Sequence, residues 1–235
     1  MAQVDNITYM RDRPVTKEID LSFAFSCYDE AMQTRALAQL SLAILLSAGS
    51  GCRTPGLLAD PKADSSEMSL SGVMDMENRM VNPFAAGSSK AIVFIFIGVE
   101  CPISNRYAPE IERLYHEFES QNISFWLVYP DPDASPQDIA RHTKDYRLTL
   151  PVLRDFQHSL VRRAHAHVTP EAAIFSPAGR EVYHGRIDDR MVDFGKERSF
   201  PTRRDVQAAL ESIIAEKPIN EPTATAVGCP IPEVR

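Results

Sequence analysis

The sequence predicts an α/β fold: a central mixed sheet, parallel in one part and antiparallel at one edge, with helices on both faces. Three observations carry this. Two uninterrupted apolar runs, AIVFIFIGV (91–99) and ISFWLVYP (123–130), read as strands buried on both faces, as parallel strands are. Segments with helical spacing follow each run. A Gly-turned hairpin and a closing helix then complete the order β-α-β-α-(β)-α-β-β-α.

The elements follow in chain order. Residues 1–52 form an N-terminal extension. Within it, MQTRALAQLSLAILLSAGSGC (32–52) has Arg35, an apolar stretch Leu37 to Leu46, and small residues before Cys52. That stretch is shorter than the roughly 20 residues of a membrane span. It resembles a bacterial lipoprotein export signal, with Gly49 where such signals carry an aliphatic residue. The alternative is a buried helix. The polar residues 1–31 would delay such a signal, so translation is expected to start at Met32, which removes Cys27. The resemblance implies an exported chain of the cell envelope, periplasmic or held to the membrane by a lipid on Cys52. Residues 53–84, rich in Ser, Asp, Met and Pro, read as a tether. Met68, Met74, Met76 and Met80 are either an apolar packing stretch or a copper site.

The folded domain is expected over 85–217. After the first strand, Ile103, Tyr107, Ile111, Leu114 and Phe118 recur at helical intervals from Cys101. SPQDIARHTKDYR (135–147) is a helix with Ser135 as N-cap and Pro136 in its first turn. LPVLRD (150–155) is a short extended piece and FQHSLVRRAHA (156–166) a helix. EAAIFSPAGREVYHGRI (171–187) is a hairpin turning at Pro177-Ala178-Gly179. TRRDVQAALESIIAE (202–216) is the last helix, capped by Thr202. Residues 218–235 form a turn-rich, flexible tail that carries Cys229. GRIDDR (185–190) reads as a solvated, salt-bridged turn; the alternative is that Asp188 or Asp189 orients the tail or a substrate.

Twenty-five Lys and Arg against 32 Asp and Glu give a net charge of -7, and no basic patch is interleaved with aromatics. Nucleic acid is therefore excluded as a partner. No two of the four cysteines are spaced as Cys-x-x-Cys, so a zinc ribbon is excluded as well.

Cys101 stands where the first strand gives way to a helix. A helix N-terminus presents unpaired N–H groups and a partial positive charge, which stabilise a thiolate. Arg106 adds positive charge nearby, and Glu100 opposes it. The alternative is an inert buried thiol. Cys229 is either a second redox thiol or a free thiol in the tail.

The element order is similar to the thioredoxin fold in the form used by redoxins, the AhpC/TSA group and the envelope thiol-disulfide proteins. Cys101 stands where these keep the attacking cysteine, Pro109 follows at the spacing of their helix proline, and VTPEAAIFSPAGREVYHG resembles the segment holding their cis-proline, here Pro170. CPISNRYAPE, GRIDDR and AVGC further resemble bacterial redoxin-domain proteins. The resemblance implies a thiol oxidoreductase in which Cys101 attacks a disulfide, an oxidised sulfur species or a peroxide, and Thr169 and Arg106 face the substrate. The second position of the thioredoxin Cys-x-x-Cys is Ser104, which cannot release a mixed disulfide, so a resolving role falls to Cys229 or to an outside thiol. Ile95 stands where thioredoxins place a buried Asp. Phe94 and Gly98 stand where peroxiredoxins place Pro and Thr. The expected partner is a thiol or disulfide protein or a small oxidant, with no cofactor. A second reading is a copper-handling protein with Cys101, Cys229 and His167 (or His165) as ligands. A third is a binding module without catalysis.

Overall fold

The computed structural model describes residues 70, 72–85 and 87–234. The export signal, Cys27, Cys52 and Met68 lie outside them. Strand β1 (Ala91–Phe96) leads into helix α1 (Pro102–Phe118), then β2 (Ile123–Tyr129), α2 (Pro136–Asp145), β3 (Val152–Arg154) and α3 (Ser159–Arg163). A two-residue strand β4 (Val168–Thr169) precedes the hairpin β5 (Glu171–Phe175) and β6 (Glu181–Gly185). A small hairpin, β7 (Met191–Asp193) and β8 (Lys196–Glu197), leads to α4 (Asp205–Ile214). The tail adds β9 (Thr223–Ala224) and β10 (Cys229–Pro230).

The main sheet has the order β3-β2-β1-β5-β6-β9. β1, β2 and β3 run parallel, and β5 and β6 are antiparallel to their predecessors. Because side chains alternate along a strand, β1 serves two cores. Val93, Ile95 and Ile97 pack with Tyr107, Ile111 and Leu114 of α1, Ile139 of α2, and Val206 and Leu210 of α4. Ile92, Phe94 and Phe96 pack on the other side with Leu160 and Val161 of α3, Phe175 and Val73. Helices therefore cover both faces of a mixed sheet.

Several boundaries differ from the sequence expectation, each for a visible reason. Val73 is fully buried, and Met74 exchanges backbone hydrogen bonds with Arg154 (3.0 and 2.7 Å), so chain assigned to the tether packs on the sheet well before residue 85. Met76 packs against the core while Met80 is exposed, which fits a packing strap better than a metal site. Helix α3 begins at Ser159 because the buried Asp155 carboxylate accepts the N–H groups of Ser159, Leu160 and Val161. Helix α4 begins at Asp205, not near Thr202, because the Thr202 and Arg203 amides donate to Asp189 (2.7 and 2.9 Å) and the Thr202 hydroxyl does too. The GRIDDR turn is buried: Asp188 accepts from the Tyr107 hydroxyl (2.6 Å) and the Arg190 amide (2.9 Å), and Asp189 gathers residues 198–203. The tail, expected to be flexible, is docked along two strands.

Candidate active site

Cys101 ends the connection after β1 as the N-cap of α1. Its sulfur accepts the Ser104 amide N–H at 3.4 Å, the position an N-cap Ser or Asp oxygen takes in other helices. Pro102 in the first turn needs no donor there. The Ser104 hydroxyl accepts the Gly98 N–H at 3.3 Å, and Cys101 N–H donates to Gly98 O at 3.2 Å, so strand end and first turn hold one another. A Cβ on Gly98 would lie 3.2 Å from Thr169 Oγ1 and 3.3 Å from Cys101 Cβ, which leaves little space between the cysteine and the opposing loop.

That opposing loop is Thr169–Pro170, whose peptide bond is cis. The Thr169 carbonyl oxygen lies 3.0 Å from Cys101 Sγ and accepts its S–H when the thiol is protonated. Sequence reading missed two features of the site, of which the first fixes this loop. Glu171, 4% exposed, accepts the amides of His167 (2.7 Å) and Val168 (3.2 Å) and contacts His184 Nε2 at 2.9 Å. Burial raises the Glu171 carboxyl, but His184 and the two amides outweigh it and hold the group below the usual value. Glu171 in turn raises His184. A charged residue opening the otherwise apolar strand EAAIF was the signal in the sequence. The second feature stands behind α1: His142 Nε2 lies 2.7 Å from Asn105 Oδ1 and its Nδ1 2.8 Å from the Tyr129 hydroxyl. Burial lowers His142, so the neutral ring donates to Asn105 from Nε2 and accepts from Tyr129.

Cys229 arrives from the tail. β10 pairs antiparallel with β4, Cys229 opposite Thr169 and Pro230 opposite Val168. The two sulfurs, 128 residues apart in the chain, are 2.8 Å apart and both are free thiols. Their acidities diverge. Burial pushes the Cys101 thiol up, yet hydrogen bonds from Cys229, from the Ser104 hydroxyl and amide and from Thr169 bring it down to about 7. Burial pushes Cys229 up, and the adjoining Cys101 pushes it further, to about 11. At neutral pH a large share of Cys101 is thus thiolate, with the Cys229 S–H donating to it. The Thr169 carbonyl oxygen at 3.0 Å favours the protonated thiol, and the donors from Cys229, Ser104 and the Thr169 side chain outweigh it.

Other expected site residues fall elsewhere. Arg106 is exposed and pairs with Glu197 (3.1 Å). His167 is exposed and His165 lies 3.4 Å from Glu181. The copper reading needs a third ligand beside the two sulfurs, and among the described residues no group of three His, Cys, Asp or Glu side chains is placed to hold a metal ion.

Residues 69–183 match the model of the AhpC/TSA family. An uncharacterised conserved protein from Geobacillus kaustophilus superposes with a TM-score of 0.61 at 23% identity, covering 68% of this chain and 87% of that one. A hypothetical protein from Sinorhizobium meliloti superposes at 0.59 with 21% identity, over 68% and 88%. A secreted disulfide oxidoreductase of Mycobacterium tuberculosis covers 65% of this chain and 99% of its own at 16% identity, with a TM-score of 0.43. No curated protein matches the sequence.

Proposed function

With a thioredoxin-like redoxin domain matching the AhpC/TSA family over residues 69–183 as the premise, we propose that the protein is a two-cysteine thiol-disulfide oxidoreductase. The observation that supports this most is the 2.8 Å approach of two free sulfurs, one acidic and one not. The Cys101 thiolate attacks one sulfur of a disulfide. The S–S bond breaks, the leaving thiolate takes a proton, and a mixed disulfide forms on Cys101. Cys229 loses its proton, attacks Cys101 Sγ and releases the second thiol. The substrate gains two electrons and two protons, and Cys101 and Cys229 are left as a disulfide, which an external dithiol reduces. A sulfenylated substrate is attacked at its sulfur, water leaves, and the same mixed disulfide forms; a peroxide is attacked at oxygen, water or an alcohol leaves, Cys101 becomes a sulfenic acid, and the attack of Cys229 on it releases water.

Cys101 is the attacking group. Ser104 stabilises the thiolate, and in place of the usual second cysteine it leaves resolution to Cys229. Thr169 and the cis Pro170 shape the wall opposite. The stretch 32–52 supports export, with Cys52 as the point of lipid attachment and the membrane as a partner.

Turnover of a disulfide substrate with a dithiol donor tests the cycle. Cys101→Ser abolishes turnover. Without the donor, Cys229→Ser permits one attack and then stalls as a mixed disulfide on Cys101. Unimpaired turnover by Cys229→Ser in the absence of excess external thiol would refute the assignment of Cys229.

A further inference from the structure

Among the described residues β4 pairs with β10 alone and lies outside the main sheet. A buried side chain ties it there. The His167 and Val168 amides donate to Glu171 Oε2, and Glu171 opens β5 opposite Phe96 of β1. Glu171 Oε1 lies 2.9 Å from Nε2 of His184, which stands on β6 opposite Ala173. The carboxyl is held below its usual range and the imidazole above, so at neutral pH the contact joins an anion to a cation.

The tail lies on the same two strands. Along β6, the His184 amide donates to Pro222 O (2.9 Å) and the Arg186 amide to Ala224 O (3.0 Å). Along β4, Cys229 stands opposite Thr169, and the Ile231 amide donates to His167 O at 3.0 Å. The cleft between the two strips is lined by His167, Glu171 and His184. Neither strip has slack. A Cβ on Gly228 would overlap the Thr169 carbonyl, and one on Gly185 (φ +139°) would overlap the Ala224 carbonyl. Packing this close passes a displacement on instead of absorbing it. A shift of β4 against β6 therefore carries Cys229 Sγ away from its place 2.8 Å from Cys101 Sγ.

We propose that Glu171 and His184 are positioning residues for the resolving step: together they set the spacing of β4 and β6 at which the tail presents Cys229 Sγ to Cys101 Sγ. This rests on the redox cycle above and assigns residues to its second half. The first attack needs the Cys101 thiolate but not the tail in register; the second needs both.

The test uses the full chain with Cys27 and Cys52 replaced by serine throughout, leaving Cys101 and Cys229, and one equivalent of 5,5′-dithiobis(2-nitrobenzoate). The reaction is run at about pH 9, where even a thiol of ordinary acidity is largely ionised, so that a lost hydrogen bond to Cys101 does not by itself slow the attack. Cys101 breaks the S–S bond of the reagent, releases one 5-thio-2-nitrobenzoate and keeps the other half as a mixed disulfide. Cys229 then gives its proton to solvent, attacks Cys101 Sγ and releases the second. Cys229→Ser, which gives the first release only, assigns the two phases. Glu171→Ala, which strips two buried amides of their acceptor, lowers the ratio of second to first rate by at least about tenfold. Glu171→Gln, whose amide oxygen still accepts those N–H groups, keeps the ratio within about threefold of wild type. His184→Ala lowers it by at least about threefold, and the double variant Glu171→Ala/His184→Ala falls within about twofold of Glu171→Ala, because the two residues act through one contact. His184→Ala leaves Glu171 on the amides and carries the test should Glu171→Ala not fold. An unchanged ratio in His184→Ala would make the pair a structural support only, and a ratio in Glu171→Gln as low as in Glu171→Ala would remove the hold on the amides; either overturns the proposal. Loss of the second release in the protein with both residues intact would instead overturn the resolving role of Cys229, and loss of the first the attacking role of Cys101.

Discussion

At Cys101, burial and hydrogen bonding pull in opposite directions, and the donors win. The thiolate reacts and the thiol does not, so alkylation of Cys101 falls as pH drops through about 7 and levels off above it. Ser104→Ala removes the hydroxyl beside the sulfur but keeps the amide donor. The midpoint then moves up toward the ordinary thiol value, and the rate at pH 7 falls by roughly two- to fivefold. Iodoacetamide labelling followed on the Cys101 peptide by mass spectrometry measures both. A profile unchanged by the substitution would assign the low value to Cys229, Thr169 and the helix terminus without the Ser104 hydroxyl. Cys101, Ser104 and Pro170 were legible in the sequence because each occupies a recognisable place in a strand–helix or strand–turn pattern. The Glu171–His184 contact and the chain from Asn105 through His142 to Tyr129 were not. Their partners are 13 or more residues apart and meet only through the sheet. The Arg106–Glu197 pair was not legible either, because Glu197 lies in a hairpin that the sequence did not announce.

Among the elements, those with long apolar periodicity, α1, α2 and the β5–β6 hairpin, could be read directly. The short ones could not. β4, β7, β8, β9 and β10 have two or three residues each and exist because of what they pair with. The same holds for the start of α4, which depends on Asp189. Burial raises that carboxyl, but the Thr202 hydroxyl, the Arg203 and Thr202 amides and the nearby Arg198 hold it down to about 2. A carboxyl depressed in the folded state contributes stability above its unfolded value near 4, and that contribution is lost as pH falls from about 4 toward 2. Asp189→Asn should therefore flatten the acid limb of stability over this window, as read from urea unfolding at several pH values. Asp189→Ala leaves the Thr202 and Arg203 amides without an acceptor and costs about 1–3 kcal/mol at pH 7. An acid limb identical to wild type in Asp189→Asn would contradict the role given to this carboxylate.

For the whole molecule, the disulfide proposed between Cys101 and Cys229 would join the start of α1 to the tail across 128 residues. In the chain-entropy view such a bridge stabilises by up to about 5 kcal/mol, less any strain in the native geometry. The oxidised protein should unfold at a higher temperature than the reduced one, and Cys229→Ser should abolish the difference, as calorimetry with and without a reductant would show. Equal unfolding temperatures in wild type would mean that the bridge does not form. The mixed sheet was legible because its order follows from alternating strands and helices. The closing of the tail onto β4 and β6 was not, because TAVGCPIP has neither period and its conformation comes from glycines fitted against a distant backbone.

Peptide mapping of the full chain under non-reducing conditions, after one equivalent of oxidant, asks whether the two sulfurs act as a pair. A single cross-linked species joining the Cys101 and Cys229 peptides, lighter than the reduced pair by two hydrogens, is the expected product. Cys101 carried on to a sulfinic acid while Cys229 stays a free thiol would contradict it.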